Sequence, residues 1–149
     1  MKAIITVGVS ASGKTTWAKR YAMAHNAFIS NRDDLRFTLT GTEGWHEYRF
    51  CKVTEKLVTA LQLQTLAHNA QKSQFDVIIA DTNLNAGKRD GLVAVCKGLG
   101  YEVTIKPFPV SLMTAVNRDA LRSIGSRVGR TVIEQQYKQW LEYYGEEAI

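Results

Sequence analysis

GVSASGKT, Gly8 to Thr15, decides how the rest of this chain is read. It satisfies the pattern G-x-x-x-x-G-K-[ST], and it stands between an apolar run, Ala3-Ile4-Ile5-Thr6-Val7, and a segment of helical period that begins at Lys14. A glycine-rich turn in that position lets successive backbone N–H groups point at one anion. The helix that follows adds its unpaired amides and the positive end of its dipole. Lys14 would then reach the β- and γ-phosphates of a nucleotide, and Thr15 would bind Mg²⁺. The bland alternative is an ordinary strand-to-helix turn that happens to hold Gly, Lys and Thr, and placement directly after a strand weighs against it.

Outward from this loop, apolar runs alternate with segments of helical period, the pattern of a parallel sheet covered by helices. Strands are expected near Ala3–Val7, Ala27–Ser30, Val77–Ala80 and Glu102–Phe108. Helices are expected near Lys14–His25, Trp45–Gln71, Lys88–Leu99, Leu112–Ser123 and Val132–Tyr144. In the long middle helix Val53, Leu57, Ala60, Leu61, Gln64 and Ala67 trace one stripe, which predicts the core-facing side. With 149 residues and no repeat or linker, residues 1–149 are expected to form one α/β domain.

Composition narrows the partners. Hydrophobic residues make up 45% and charged residues 22%, ordinary for a globular protein, and the apolar stretches are strand-length rather than membrane-length. The expectation is a cytoplasmic protein with no membrane contact. Cys51 and Cys96 lack metal-ligand spacing and read as reduced thiols. A net charge of +5 favours a polyanionic partner. The local concentration of positive charge is Arg118, Arg122, Arg127 and Arg130, which reads either as a solvated face or as a glycine-punctuated lid over phosphates. Arg118 and Arg122, at i and i+4, would share a helix face.

Nucleotide binding alone leaves kinase, GTPase, motor and passive module open. No Asn-Lys-x-Asp base-reading element occurs, which removes the usual GTPase signature. Ligands in open α/β sheets collect at the carboxyl ends of the strands, and two acidic groups stand there. Asp81, followed by Thr82-Asn83-Leu84-Asn85, either holds Mg²⁺ in the Walker B manner or caps a turn. Asn31-Arg32-Asp33-Asp34-Leu35-Arg36 follows the second strand. A hydroxyl must lose its proton as it attacks phosphorus, so a carboxylate such as Asp33 suits a kinase, and Arg36, one helical turn on, would hold an anionic acceptor over it. The structural alternative is a helix N-cap with Arg36 as surface charge.

Together GVSASGKT, NRDDLR (Asn31 to Arg36), IIADTNLN (Ile78 to Asn85) and the Arg118/Arg122 pair resemble the kinase domain of bacteriophage polynucleotide kinases, in order and approximate spacing. The resemblance implies a P-loop kinase fold with an arginine-bearing lid at about 118–131. It also implies transfer of the γ-phosphate of ATP, or of another nucleoside triphosphate, to the 5′-OH end of DNA or RNA, in the host cytoplasm if the chain is phage-encoded. By the same resemblance Gly8, Ser10, Ala11, Ser12, Gly13, Lys14, Thr15 and Thr16 hold the nucleotide with Arg118 and Arg122. Lys14, Asp33 and Arg122 are catalytic, Asp33 as general base. Arg36 grips the phosphate on the 3′ side of the terminal nucleotide, Asp81 and Asn83 face the substrate, and Thr15 and Asp81 serve the metal.

There are departures. Ser10 and Ala11 stand where that family has Pro and Gly, and Thr131-Val132-Ile133 replaces its lid proline, which makes Arg127 and Arg130 competitors of Arg122. The phosphatase motif Asp-x-Asp-Gly-Thr of the bifunctional phage enzyme does not occur in the sequence, so only the kinase activity is implied. Two rivals remain: a kinase of a nucleoside, sugar or antibiotic, and a nucleotide-binding regulatory module, which would need no base.

Overall fold

The apolar runs become four parallel strands: β1 Lys2–Val7, β2 Ala27–Ser30, β3 Asp76–Ile79 and β4 Glu102–Pro107. In this computed structural model, which describes residues 1–145, they lie in the order β2-β3-β1-β4. Ala3 pairs in register with Val77 on one side and with Val103 on the other. The two central strands are covered on both faces, so they read as unbroken apolar runs instead of alternating ones.

Each face has its own cover. Ala3, Ile5, Val77 and Ile79 pack with Leu66 of α3 (Lys52–Gln71) and Cys96 of α4 (Ala86–Gly98). Ile78 and Ala80 pack with Ala18 of α1 (Lys14–Ala24). At the carboxyl ends of the strands a third cluster joins Val7, Val9 and Leu84 to Ala115 of α5 (Leu112–Ala120) and to Ile133 and Trp140 of α6 (Arg130–Tyr144). Among the described residues no helix is long and apolar enough to cross a membrane.

Topology sets where the site lies. The connection after β1 runs towards β2, whereas the connection after β3 runs the other way to β4. These adjacent strands therefore open a crevice at their carboxyl ends, the usual ligand position in an open α/β sheet.

Three expectations need correction. The helix foreseen at Trp45–Gln71 begins only at Lys52, and residues 45–51 form a loop. Its inner face is Val58, Gln62, Leu66 and Asn69, while Val53 and Leu57 of the expected stripe are 74% and 47% exposed. The stripe misled because two inner positions are polar and have structural work: Asn69 bonds the Phe75 backbone and the Tyr101 hydroxyl, and Gln62 reaches Ser30. Residues 32–40 form a further helix, α2 (Arg32–Thr40), capped by the Asn31 side chain, which accepts from the Asp34 N–H, and ended by Gly41 at φ 66°. Finally, α5 stops at Ala120 instead of Ser123, so Arg122 lies beyond the helix and does not share a face with Arg118.

Candidate functional site

The loop after β1 is held in its cradle shape by tight contacts. The Gly8 N–H donates to the Thr82 carbonyl at 3.1 Å. A Cβ on Gly8 would lie 2.8 Å from Ser12 Oγ and 3.1 Å from Phe108 Cβ, so any larger residue would force Ser12 to move and would crowd Phe108. Gly13 takes φ 101° at the start of α1, and Ala11 adopts φ 63°, a left-handed conformation that an alanine carries at a cost of roughly 1–2 kcal/mol. Arg118 Nη1 donates to the Ala11 carbonyl at 3.4 Å and braces that strained residue. The Ser10 N–H is occupied by Gln136 Oε1 from α6 at 2.8 Å.

Lys14 is buried and lies along the loop, its Nζ donating to the Gly8 and Val9 carbonyls at 2.9 and 2.6 Å and to Ser12 Oγ at 3.3 Å. Burial, helped by the nearby Arg122 guanidinium, pulls its pKa down to about 7, against the opposite pull of Asp81 and Asp33. An anion bound at this mouth would restore the charge. Thr15 and Thr16 are exposed in the first turn of α1, which has no acidic residue to offset its positive end.

Asp81 follows β3. Its Oδ1 accepts from the Arg32 N–H at 2.7 Å and its Oδ2 from Gln62 Nε2 at 2.9 Å. Burial pushes its carboxyl above the usual carboxylate value, while those two donors hold it back. Each oxygen keeps a further lone pair. With the Thr15 hydroxyl this is a hard-oxygen donor set of the kind magnesium takes when phosphates and waters complete its shell. No cluster of three or more His, Cys, Asp or Glu suited to a metal, and so no all-protein cage, occurs among the described residues. Asn83, at φ 47°, also lines the cavity, but its Nδ2 is spent on the Thr6 carbonyl at 2.8 Å, tying the ends of β1 and β3 together.

The second carboxylate belongs to a different network. Asp33, in the first turn of α2, accepts from Arg36 Nη1 at 2.8 Å; burial raises its pKa and Arg36 opposes the rise. Arg36 is not surface charge, since its side chain is only 14% exposed. Its Nε and Nη2 form a two-pronged clamp on Glu55 of α3 at 2.8 and 2.7 Å. Tyr48 donates its hydroxyl to Glu55 at 2.6 Å, and these donors, Arg36 foremost, hold the Glu55 carboxyl down at about 2. Phe37, Trp45 and Tyr48 pack edge to face around this knot, and the Arg36 guanidinium lies 5.6 Å from the Trp45 ring centre.

The arginine segment closes the far wall. Buried Asp119 accepts from the Val128 and Gly129 N–H groups, each at 3.0 Å, folding residues 121–129 into a loop whose tip docks where the Trp45 N–H donates to the Gly125 carbonyl at 2.9 Å. Arg122 lines the cavity with Lys14, Thr15, Asp33, Arg36 and Asp81, around a space of about 720 Å³. Arg127 and Arg130 do not line it. Arg127 donates to the Arg122 carbonyl at 2.6 Å, and Arg130 pairs with Glu134 at 2.7 Å along α6.

The model of the AAA_33 family, an AAA domain, matches residues 4–146. The chain belongs to this family. A protein of Autographa californica nuclear polyhedrosis virus that carries the name bifunctional polynucleotide kinase/RNA ligase is 30% identical over 154 residues, which cover 95% of this chain and 22% of the viral protein. Among solved structures of the same fold, the Pnkp1/Rnl/Hen1 RNA repair complex matches with TM-score 0.82 and 24% identity, over 99% of this chain and 46% of that one. A gluconokinase from Sinorhizobium meliloti 1021 matches with TM-score 0.63 and 19% identity, over 93% and 74%. The chain thus spans about a fifth of the viral relative and under half of the repair-complex chain. Its central parallel sheet with flanking helices is the fold of P-loop kinases.

Four residues of the family member's site escaped the sequence reading: Glu55, Gln62, Asp119 and Gln136. Each acts by holding another group. Gln62 left no clear signal, because the apolar stripe of its helix pointed to a different buried side. Glu55 left none, because its partner Arg36 is 19 residues away on another helix.

Proposed function

We propose that this domain transfers the γ-phosphate of ATP, or of a related nucleoside triphosphate, to the 5′-hydroxyl end of DNA or RNA. The observation that carries the reading is the convergence of Lys14, Arg122 and Asp33 on one cavity, with Arg36 hydrogen-bonded to Asp33 at 2.8 Å. Lys14 and the loop amides suit the triphosphate, and Arg122 suits the charge that spreads over the transferred group. Asp33 takes the proton from the attacking hydroxyl, and its raised pKa brings it closer to the pH at which a general base works well. Thr15 and Asp81 would hold a magnesium ion, which would supply charge neutralisation for the phosphates.

Arg36 supports an acceptor that carries its own phosphate. A guanidinium has five N–H donors, of which three are spent on Asp33 and Glu55. Two remain, enough to take a phosphate without breaking the clamp. A passive nucleotide module has no use for the base, and a kinase of uncharged sugars has no use for this second cation. The names of the viral relative and of the repair complex point in the same direction.

The test compares γ-phosphate transfer to a 5′-OH oligonucleotide, a nucleoside 3′-monophosphate, the free nucleoside and a panel of sugars. Charge-assisted hydrogen bonds of roughly 1.5–3 kcal/mol predict that kcat/KM falls by about 10- to 150-fold when the 3′-phosphate is removed. Arg36→Ala should erase most of that difference. Equal kcat/KM with and without the phosphate would instead favour a small-molecule kinase.

A further inference from the structure

A second, shallower groove opens from the Asp33–Arg36 site, sharing Arg32, Glu55 and Lys88 with the main cavity. It adds Phe50, Lys52 and Lys56. Three lysines and Arg32 therefore share a single carboxylate, which is already held by Arg36, by Tyr48 and, at 3.7 Å, by Arg32 itself. None of the three lysines pairs with an acid among the described residues.

Charge alone would describe an ordinary solvated face, but Phe50 does not belong on one. Its ring is 73% exposed although it is supported from behind, nearly parallel to Trp45 (11°) at 6.5 Å and edge-on to Tyr48 at 5.5 Å. A supported, exposed ring flanked by unpaired lysines is the combination that binds single-stranded nucleic acid, through base stacking and phosphate attraction. Phe50 also lies 5.9 Å from the Arg36 guanidinium, so a strand whose first phosphate rests on Arg36 brings its next base to this ring.

We propose that this groove holds the second and third nucleotides of a single-stranded acceptor, one base stacked on Phe50 and the backbone phosphates on Lys52, Lys56 and Lys88. The proposal extends the polynucleotide-end reading and rests on it for the position of the first nucleotide. A single strand is required because a base paired in a duplex has no free face for the ring. Stacking is tolerant of sequence, so the groove senses acceptor length rather than base identity.

Cys51 lines the groove and is exposed, while Cys96 is buried, so alkylation of the native protein reports on one thiol. A 5′-OH oligothymidylate of about six nucleotides should slow alkylation at Cys51 at least fivefold, whereas thymidine 3′-monophosphate and oligoglutamate should not. Kinetically, KM for the oligonucleotide should be about tenfold below that for the 3′-monophosphate, as expected for one stacked base. Phe50→Ala should abolish the difference and Phe50→Trp should keep it. The double variant Lys52→Gln/Lys56→Gln should reduce the salt slope of log KM by about 1.4, two phosphates' worth for a single strand. The lysine double variant should leave turnover of the 3′-monophosphate as it was.

The outcomes separate the two readings. If 3′-monophosphate and oligonucleotide are phosphorylated with equal KM and Cys51 stays open, the groove is refuted and the kinase reading stands. If Cys51 is protected by the oligonucleotide but no acceptor is phosphorylated, the groove stands and the kinase reading falls. Equal protection by oligoglutamate would overturn the nucleic-acid assignment.

Discussion

The two ends of the cavity are built differently. The end proposed for the nucleotide is a run of consecutive residues, Gly8 to Thr15, shaped by its backbone conformation and with a lysine folded onto its own carbonyls. The end proposed for the acceptor is assembled from α2, α3 and the loop between them, through side chains that meet across 19 residues at the Arg36–Glu55 clamp. Function encoded in backbone conformation is compact in sequence and tolerates little. Function encoded in side-chain ion pairs is dispersed, and it can be retuned by changing a partner rather than the working residue.

The contrast can be tested at its strongest point first. Lys14→Ala should lower turnover by about 10³-fold or more, because the positive charge is needed most as the phosphoryl group transfers. The fold should survive, since the buried ammonium is a cost in the empty protein. Its pKa falls from 10.5 to about 7 on folding, so the unfolded chain binds more protons between those values and stability rises with pH across that window. Circular dichroism melts beside single-turnover kinetics decide the matter; near-wild-type turnover from a folded variant would remove the P-loop assignment.

At the acceptor end, Asp33→Asn should lower kcat by about 10²-fold or more while nucleotide affinity is kept. The wild-type rate should fall as pH drops through a value higher than that of a free aspartate, because burial raises the Asp33 pKa against the pull of Arg36 and the protonated form cannot accept a proton. That acid limb should vanish in the Asn variant. Loss of nucleotide affinity with a high residual rate would instead make Asp33 a donor-site or capping residue.

Arg122→Ala tests the wall shared by both ends. It should lower kcat by about 10²-fold, the effect of removing one preorganised donor, whereas Arg127→Ala and Arg130→Ala should stay within about threefold. The reason is no longer a shared helix face. Arg122 lines the cavity, while the guanidiniums of Arg127 and Arg130 are turned to a backbone carbonyl and to Glu134. A larger loss at Arg130 would move the assignment there.

How much of this could be read in advance follows the same division. The four strands and the phosphate loop were legible because a buried parallel sheet demands unbroken apolar runs and the loop demands glycines at fixed spacing. The start of α3 was not, because Trp45, Tyr48 and Phe50 look like helix-face hydrophobics and instead form an aromatic loop over Arg36. Asp33 and Arg36 were legible as candidates only. Glu55, which fixes the pose of Arg36, was hidden among exposed helix positions, and nothing in linear spacing separates it from a solvated glutamate.

Glu55 therefore yields the finest test, with the smallest effect. Glu55→Gln keeps the size and loses the charge, so Arg36 keeps Asp33 but not its clamp. Nucleotide affinity should be unchanged, since no residue of the phosphate loop touches Glu55. KM for a 3′-phosphorylated acceptor should rise about tenfold, because a mispositioned cation loses orientation more than attraction. Stability supplies an independent readout. The Glu55 carboxyl is held down at about 2 against 4.5 for the free group, so the native state binds fewer protons in that interval and its stabilisation, full above 4.5, is lost as pH falls towards 2. The Gln variant should start less stable at neutral pH and show a flatter acid limb in urea titrations. An unchanged acid limb together with unchanged acceptor KM would mean that the clamp does nothing for Arg36. The side-chain end of the cavity would then be as self-contained as the backbone end.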